Sequence, residues 1–295
     1  MSIHPNVLQN GQVRAAAEAM LSPGQVGLLA GWGVFSTLRV QAGVLFEYDR
    51  HWARMAHDAA RMHVPMPRDA GQLRDELLQL VAANQAWDST LRVVVVRNGG
   101  GMWEGPAPTG SACDVMALTA GLKPWGSGVS LMSQPHARHA ACEFAGAKIL
   151  SWAHNLTWVE RAQKAGFDEL VLWNERGEVA ECTSANLFIV NGSEVWTPPL
   201  ACGCLPGVTR AVLLEAIREP GIRIGERVLQ PADLLAADEV FITSTTRDLL
   251  AVERIDDQVL TPRGDVRARL SRQFTAYRDA YVARHAASAP VTGRS

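Results

Sequence analysis

The sequence predicts a mixed α/β chain, with α+β character, built from two units of which the second is the larger. Three observations carry that prediction. Runs of β-branched and apolar residues alternate with stretches of helical periodicity along most of the chain. A segment rich in Gly, Pro and Ser, residues 121–128 (GLKPWGSG), interrupts this alternation and reads as a linker. The chain has 295 residues and is 47% hydrophobic, about twice the size of a typical domain and ample for buried cores. The expected division is a smaller N-terminal unit over 1–120, the linker 121–128, a larger unit over 129–286 and a disordered tail over 287–295.

Residues 35–40 (FSTLRV) and 44–48 (VLFEY) are β-rich and separated by QAG, which predicts a hairpin turning at Gly43. In HWARMAHDAARM the apolar Trp52, Met55, Ala59 and Met62 recur at three and four, predicting a helix. A second helix over about 70–83 carries Leu73, Leu77, Leu78 and Val81. The run LRVVVVRN predicts a fully buried strand ended by the glycines at 99–101, and a further strand covers about 114–118. Beyond the linker, VSLMS, ELVLWN, NLFIV, EVWTPP and EVFITS predict strands, interleaved with helices at about 152–165, 208–218 and 266–284.

Composition excludes several function classes. With 28 basic and 30 acidic residues the formal charge is −2, which gives no electrostatic footprint for nucleic acid. Five cysteines without a CxxC pair speak against a disulfide framework and a zinc ribbon, so a reducing, cytoplasmic setting is expected. The longest apolar stretch, 26–35, is broken by glycines and falls far short of the ~20 residues of a membrane span. The N-terminus lacks a basic-then-apolar signal, and a soluble chain without membrane attachment is expected. Phosphate-loop, zinc-protease, nucleophile-elbow and dinucleotide motifs are all missing. His51, His57 and His63 are spaced by six, which suits packing or surface roles rather than metal ligation, and no metal site is expected.

Lysine is scarce: Lys123, Lys148 and Lys164 are the only ones, and arginine supplies the rest of the positive charge. Arginine stays protonated and cannot act as an amine nucleophile, so amine chemistry must use one of these three. Lys123 falls in the linker and Lys164 at the polar end of a helix, whereas Lys148 sits among small and apolar residues in FAGAKILSWA. Such surroundings would favour a neutral, nucleophilic amine, but on local context alone a snorkelling or ion-paired lysine is the first reading. Downstream, GEVAECTSANLF carries Glu181, and LPGVTR opens a helix whose free N–H groups and Thr209 hydroxyl suit a phosphate.

Taken together, GVFSTLR, HWAR, AKILS, GEVAECTSANLF, LPGVTR and FITSTTRDL, in this order, resemble the class IV aminotransferases, fold type IV enzymes that use pyridoxal 5'-phosphate (PLP). The resemblance covers most of the chain and implies the two-domain, D-amino-acid aminotransferase-like fold of that family. It implies Lys148 as the Schiff-base lysine and proton shuttle, and Glu181 as the carboxylate beside the pyridine nitrogen. It also assigns the phosphate to Arg54, Val208, Thr209 and Thr245, and ring packing to Leu205. Substrate positions implied are Phe35, Thr37 and Arg39, which share one face of a strand, and the backbone N–H of Thr246.

The sequence departs from the family in places. Where several members carry a tyrosine shortly after the lysine, and aminodeoxychorismate lyases often carry arginine, this chain has Trp152. The carboxylate clamp of D-amino-acid aminotransferases is missing, since residues 102–104 read Met-Trp-Glu. The expected activity is transfer of an amino group between an amino acid or amine donor and a keto-acid acceptor, by a homodimer. The alternatives are 4-amino-4-deoxychorismate lyase, suggested by FSTLRV and the NGGG loop, or a catalytically silent PLP-binding protein.

Overall fold

The computed structural model describes residues 2–21, 25–66, 68–100 and 111–286. The expected tail 287–295 and the Met-Trp-Glu loop lie outside the described residues. The chain divides into two compact units: one comprises 1–123, 148–151 and 276–295, the other 124–147 and 152–275.

The first unit contains β1 (Ile3–Gln9), β2 (Gln12–Ala15), α1 (Val26–Ala30), β3 (Gly33–Gln41), β4 (Val44–Leu45), α2 (Tyr48–Arg61), α3 (Ala70–Ala83), β5 (Ser89–Arg97) and β6 (Cys113–Gly121). Its described strands form one antiparallel sheet in the order β2-β1-β6-β5-β3-β4. The hairpin at Gly43 forms as expected, with Gly43 at φ +78°. Its second strand is shorter than expected, because Glu47 turns left-handed and Tyr48 already opens α2. The helix over 70–83 also forms as expected, capped by Asp69, whose carboxylate accepts Gln72 N–H at 2.8 Å.

One sheet face packs α2 and α3: Val34, Leu38 and Val40 of β3 and Leu91, Val93 and Val95 of β5 join Met55, Leu73 and Leu77. Each such fully buried side chain contributes about 1.5–3 kcal/mol. The strand LRVVVVRN is therefore not buried on both faces; Thr90, Arg92 and Val94 on its other face are half-buried. Its apolar run reads as doubly buried, yet an antiparallel sheet needs only one covered face. The N-terminal hairpin β1–β2 carries no clear alternation and is absent from the sequence-based expectation.

The second unit begins with β7 (Gly128–Arg138), α4 (Ala153–Lys164), β8 (Glu169–Asn174), β9 (Val179–Cys182), β10 (Asn186–Asn191) and β11 (Glu194–Thr197). It continues with α5 (Val208–Glu215), β12 (Arg223–Glu226), α6 (Pro231–Ala236), β13 (Glu239–Ser244), β14 (Asp248–Ile255) and β15 (Gln258–Val259). The last helix, α7 (Val266–Ala286), supplies residues to both units. The sheet runs β12-β11-β10-β13-β14-β7-β8-β9, with β15 paired to β14, and mixes parallel and antiparallel neighbours. Its core includes Leu131, Val171, Leu187, Ile189 and Ile242. Among the described residues no helix is long and apolar enough to cross a membrane.

Candidate active site

Lys148 belongs to the short stretch 148–151 of the first unit. Ile149 bridges Val34 at the start of β3, Phe35 N–H donates to Lys148 O at 3.1 Å, and Leu150 N–H donates to Gly33 O at 3.0 Å. Only glycine fits at 33, since a Cβ there would meet Leu150 Cδ1 and Val95 O at 2.5 Å. On its other side the Lys148 N–H donates to Asp58 Oδ2 at 3.0 Å. The half-buried amine lies 4.5 Å from the Phe35 ring centroid, a cation–π distance. Lys164 instead forms an exposed pair with Glu160.

Arg54, on α2, donates through Nη2 to Ser36 Oγ at 3.0 Å. Burial pushes its guanidinium down to about 10, against the opposing charge of Asp58, so it remains a cation at neutral pH. Ser36 points to the helix side of β3 and meets the buried His51. Phe35, Thr37 and Arg39 occupy the opposite face, as the alternation predicts. Arg92 is paired in register with Thr37 and lies 3.9 Å from the Phe35 ring centroid. Burial lowers its pKa, and among the described residues its guanidinium has no ion-pair partner.

In the second unit Glu181, on β9, is 8% exposed and uses both carboxylate oxygens. Oε1 pairs with Arg138 Nε at 2.9 Å, and Oε2 accepts Leu205 N–H at 3.0 Å. Arg138 also reaches Asn155 Oδ1 at 3.2 Å. Asn186 Nδ2 donates to Leu205 O at 2.8 Å, so Leu205 is held through both of its peptide groups. Gly207 precedes α5, whose first N–H groups receive no side-chain cap, and a Cβ at 207 would lie 2.0 Å from Asn186 Oδ1. Val208 and the Thr209 side chain are buried at this helix start.

Thr245 and Thr246 form the turn between β13 and β14. Arg247 closes the turn: its N–H donates to Ser244 O at 3.2 Å, and its guanidinium reaches Ser184 O at 3.0 Å and Glu169 Oε2 at 3.3 Å. Glu169 is buried and also takes the hydroxyls of Thr183 and Ser184. The planar face of Arg247 covers the Trp125 ring at 4.1 Å.

The structure thus brings Lys148 and Phe35 together, and separately joins Glu181 to Leu205 and, through Asn186, to the start of α5. Trp152 stands just before α4 and is half-buried. Sequence reading missed Ser36, Asp58, Arg92, Arg138 and Asn186. A lone arginine within the apolar run of β5 was a usable signal for Arg92. The other four gain meaning only from long-range partners.

The class IV family model, described as Amino-transferase class IV, matches residues 33–255, which contain all of these side chains. A D-alanine aminotransferase from Bacillus licheniformis is 31% identical over 264 residues, covering 86% of this chain and 89% of that protein. The branched-chain amino acid aminotransferase from Escherichia coli superposes with a TM-score of 0.83 at 25% identity, over 93% of this chain and 94% of that one. The branched-chain aminotransferase of Thermoproteus uzoniensis, solved with norvaline, shares the fold with a TM-score of 0.84 at 23% identity, over 95% and 98% of the two chains. A family match over most of the chain, on a fold that clamps the backbone of the one lysine set among apolar residues, leads to a single placement. The chain belongs to the class IV aminotransferases, and it is a PLP-dependent aminotransferase.

Proposed function

We propose that the protein moves an amino group between an amino acid or amine and a keto acid, with Lys148 as its catalytic residue. The observation that carries this reading is the amine of Lys148, set against the Phe35 ring on a backbone held from both sides. Each unit offers groups that suit PLP: the first a primary amine for the aldehyde and a cation for the phosphate, the second a carboxylate for a protonated ring nitrogen and uncapped helix N–H groups for a dianion. When bound, PLP supplies an electron sink for the carbanion formed at the substrate's α-carbon.

In this reading Lys148 Nζ would hold the cofactor through its aldehyde group and would move the proton at the substrate's α-carbon. Glu181 would stand beside the ring nitrogen as its counter-charge, held in orientation by Arg138 and Leu205 N–H. Arg54, the N–H groups of Val208 and Thr209, and the Thr209 and Thr245 hydroxyls bind the phosphate, and Leu205 packs on the ring. Phe35, Thr37, Arg39 and Thr246 N–H contact the substrate. Arg92 offers a partly desolvated guanidinium on the same sheet face as Thr37, suited to a substrate carboxylate. The protein acts as a homodimer in the cytoplasm, a setting in keeping with its five unbridged cysteines.

The test is borohydride reduction of the PLP-treated protein followed by peptide mass analysis, alongside an amino-donor and keto-acid screen. The reading expects the label on Lys148 and loss of turnover in Lys148→Ala. Full transamination by that variant would overturn it, and pyruvate release without a keto acceptor would assign the lyase reaction instead.

A further inference from the structure

The segment that carries Lys148 has little regular structure of its own. One β-bridge and two backbone hydrogen bonds tie it to the start of β3. A further tether of the Lys148 peptide comes from a side chain, Asp58, whose Oδ2 accepts the Lys148 N–H at 3.0 Å. Asp58 is 0% exposed. Burying a carboxylate is costly unless its oxygens find donors or cations: Oδ2 has the Lys148 N–H, and Oδ1, without a hydrogen bond, relies on nearby positive charge.

Its surroundings support that. Arg61 stands 3.9 Å from Oδ1, and Arg54 and His57 add positive charge from the same helix. On the facing segment the group it meets is the Lys148 N–H itself. Asp58 follows Arg54 by one helical turn, so the two side chains leave one face of α2. Burial raises the Asp58 pKa, and the Lys148 N–H together with the charges of Arg54, Arg61 and His57 opposes that rise.

The geometry points to Asp58 as a positioning residue: its carboxylate fixes the Lys148 peptide to α2 and so sets where the amine is presented over Phe35. Phe35 N–H holds the carbonyl of that peptide's residue, and Asp58 holds its N–H. A lysine that must both bond a carbon and deliver a proton tolerates little displacement, since a shift of about 1 Å costs roughly 10²-fold in rate. The catalytic consequence rests on the reading of Lys148 given above, whereas the backbone clamp does not.

Two variants of the full chain separate the acceptor from the bulk of the side chain. Asp58→Asn keeps an oxygen that accepts the N–H, and Asp58→Leu removes it at similar volume. Amide hydrogen exchange at Lys148, measured with and without added PLP, is expected to stay slow in Asp58→Asn and to speed up at least about 10-fold in Asp58→Leu. With PLP bound, Asp58→Leu should lose about 10- to 100-fold in kcat with KM within about threefold, while Asp58→Asn retains at least about a third of kcat. If Asp58→Leu fails to fold, Asp58→Ser, too short to span the same distance, takes its place. Unchanged amide protection and kcat in the acceptor-free variants, or equal damage in Asp58→Asn, overturns the proposal. Absence of a borohydride label on wild-type Lys148 would instead sink the functional reading, leaving the exchange result to judge the clamp by itself.

Discussion

Ser36 Oγ lies 2.8 Å from His51 Nδ1 within the first unit. The same oxygen accepts the Arg54 guanidinium, a donor-only group, at 3.0 Å. Nε2 is buried without a hydrogen bond. Burial, reinforced by the charges of Arg54 and Lys148, holds the His51 pKa well below its ordinary value.

A histidine depressed in this way is neutral when folded and takes up a proton when unfolded. Its stabilising effect is present above the unfolded-state pKa of about 6.5 and drains away as pH falls from there toward the folded-state value. Denaturant titrations between pH 5.5 and 7.5 should therefore show wild-type stability dropping on acidification, and His51→Gln should show a shallower slope. Parallel slopes would mean that His51 does not set this dependence.

Glu181→Gln preserves the shape of the side chain but removes the charge that Arg138 and Leu205 N–H orient. Transamination should fall by about 10²-fold, the scale of losing one preorganised electrostatic partner, with PLP still retained. Single-turnover absorbance changes after addition of an amino donor read this directly. A variant reacting at the wild-type rate would remove Glu181 from the chemistry.

The parts of this protein legible in its sequence are those fixed by local pattern. The helix over 70–83 follows from its leucine spacing, and the Gly43 hairpin from turn chemistry. The singularity of Lys148 follows from counting lysines in an arginine-rich chain. What sequence could not supply is pairing across distance. Asp58 meets Lys148 ninety residues away, and Arg138 meets Glu181 across 43. Asp58 looks like an exposed helical acid until the 148–151 segment is laid over it. The strand of β5 misled for a related reason: four consecutive valines hide an alternation that the flanking Arg92 and Thr90 reveal only once the sheet is formed.

Arg92 makes a prediction about substrate choice. Its guanidinium covers Phe35 and has no acidic partner among the described residues, so a substrate carboxylate would gain a charge-assisted bond there. Arg92→Gln should raise KM for carboxylate-bearing substrates by about 10- to 100-fold and leave amines lacking a carboxylate within about threefold. Steady-state kinetics with matched acid and amine pairs provide the measurement. An equal effect on both classes would place Arg92 in packing rather than recognition.

Gly207 tests the opening of α5. Its backbone is ordinary for any residue, with φ at −66°, so strain at this position is purely steric. An added methyl would fall 2.0 Å from Asn186 Oδ1, and Asn186 cannot retreat without releasing Leu205 O. Gly207→Ala should therefore cost about 1–3 kcal/mol of stability, as overpacking does. It should also weaken PLP binding more than 10-fold, because the first N–H groups of α5 move with the displaced loop. Equilibrium denaturation and cofactor titration measure the two effects separately. Loss of stability with unchanged PLP affinity would show that the α5 N-terminus does not hold the phosphate.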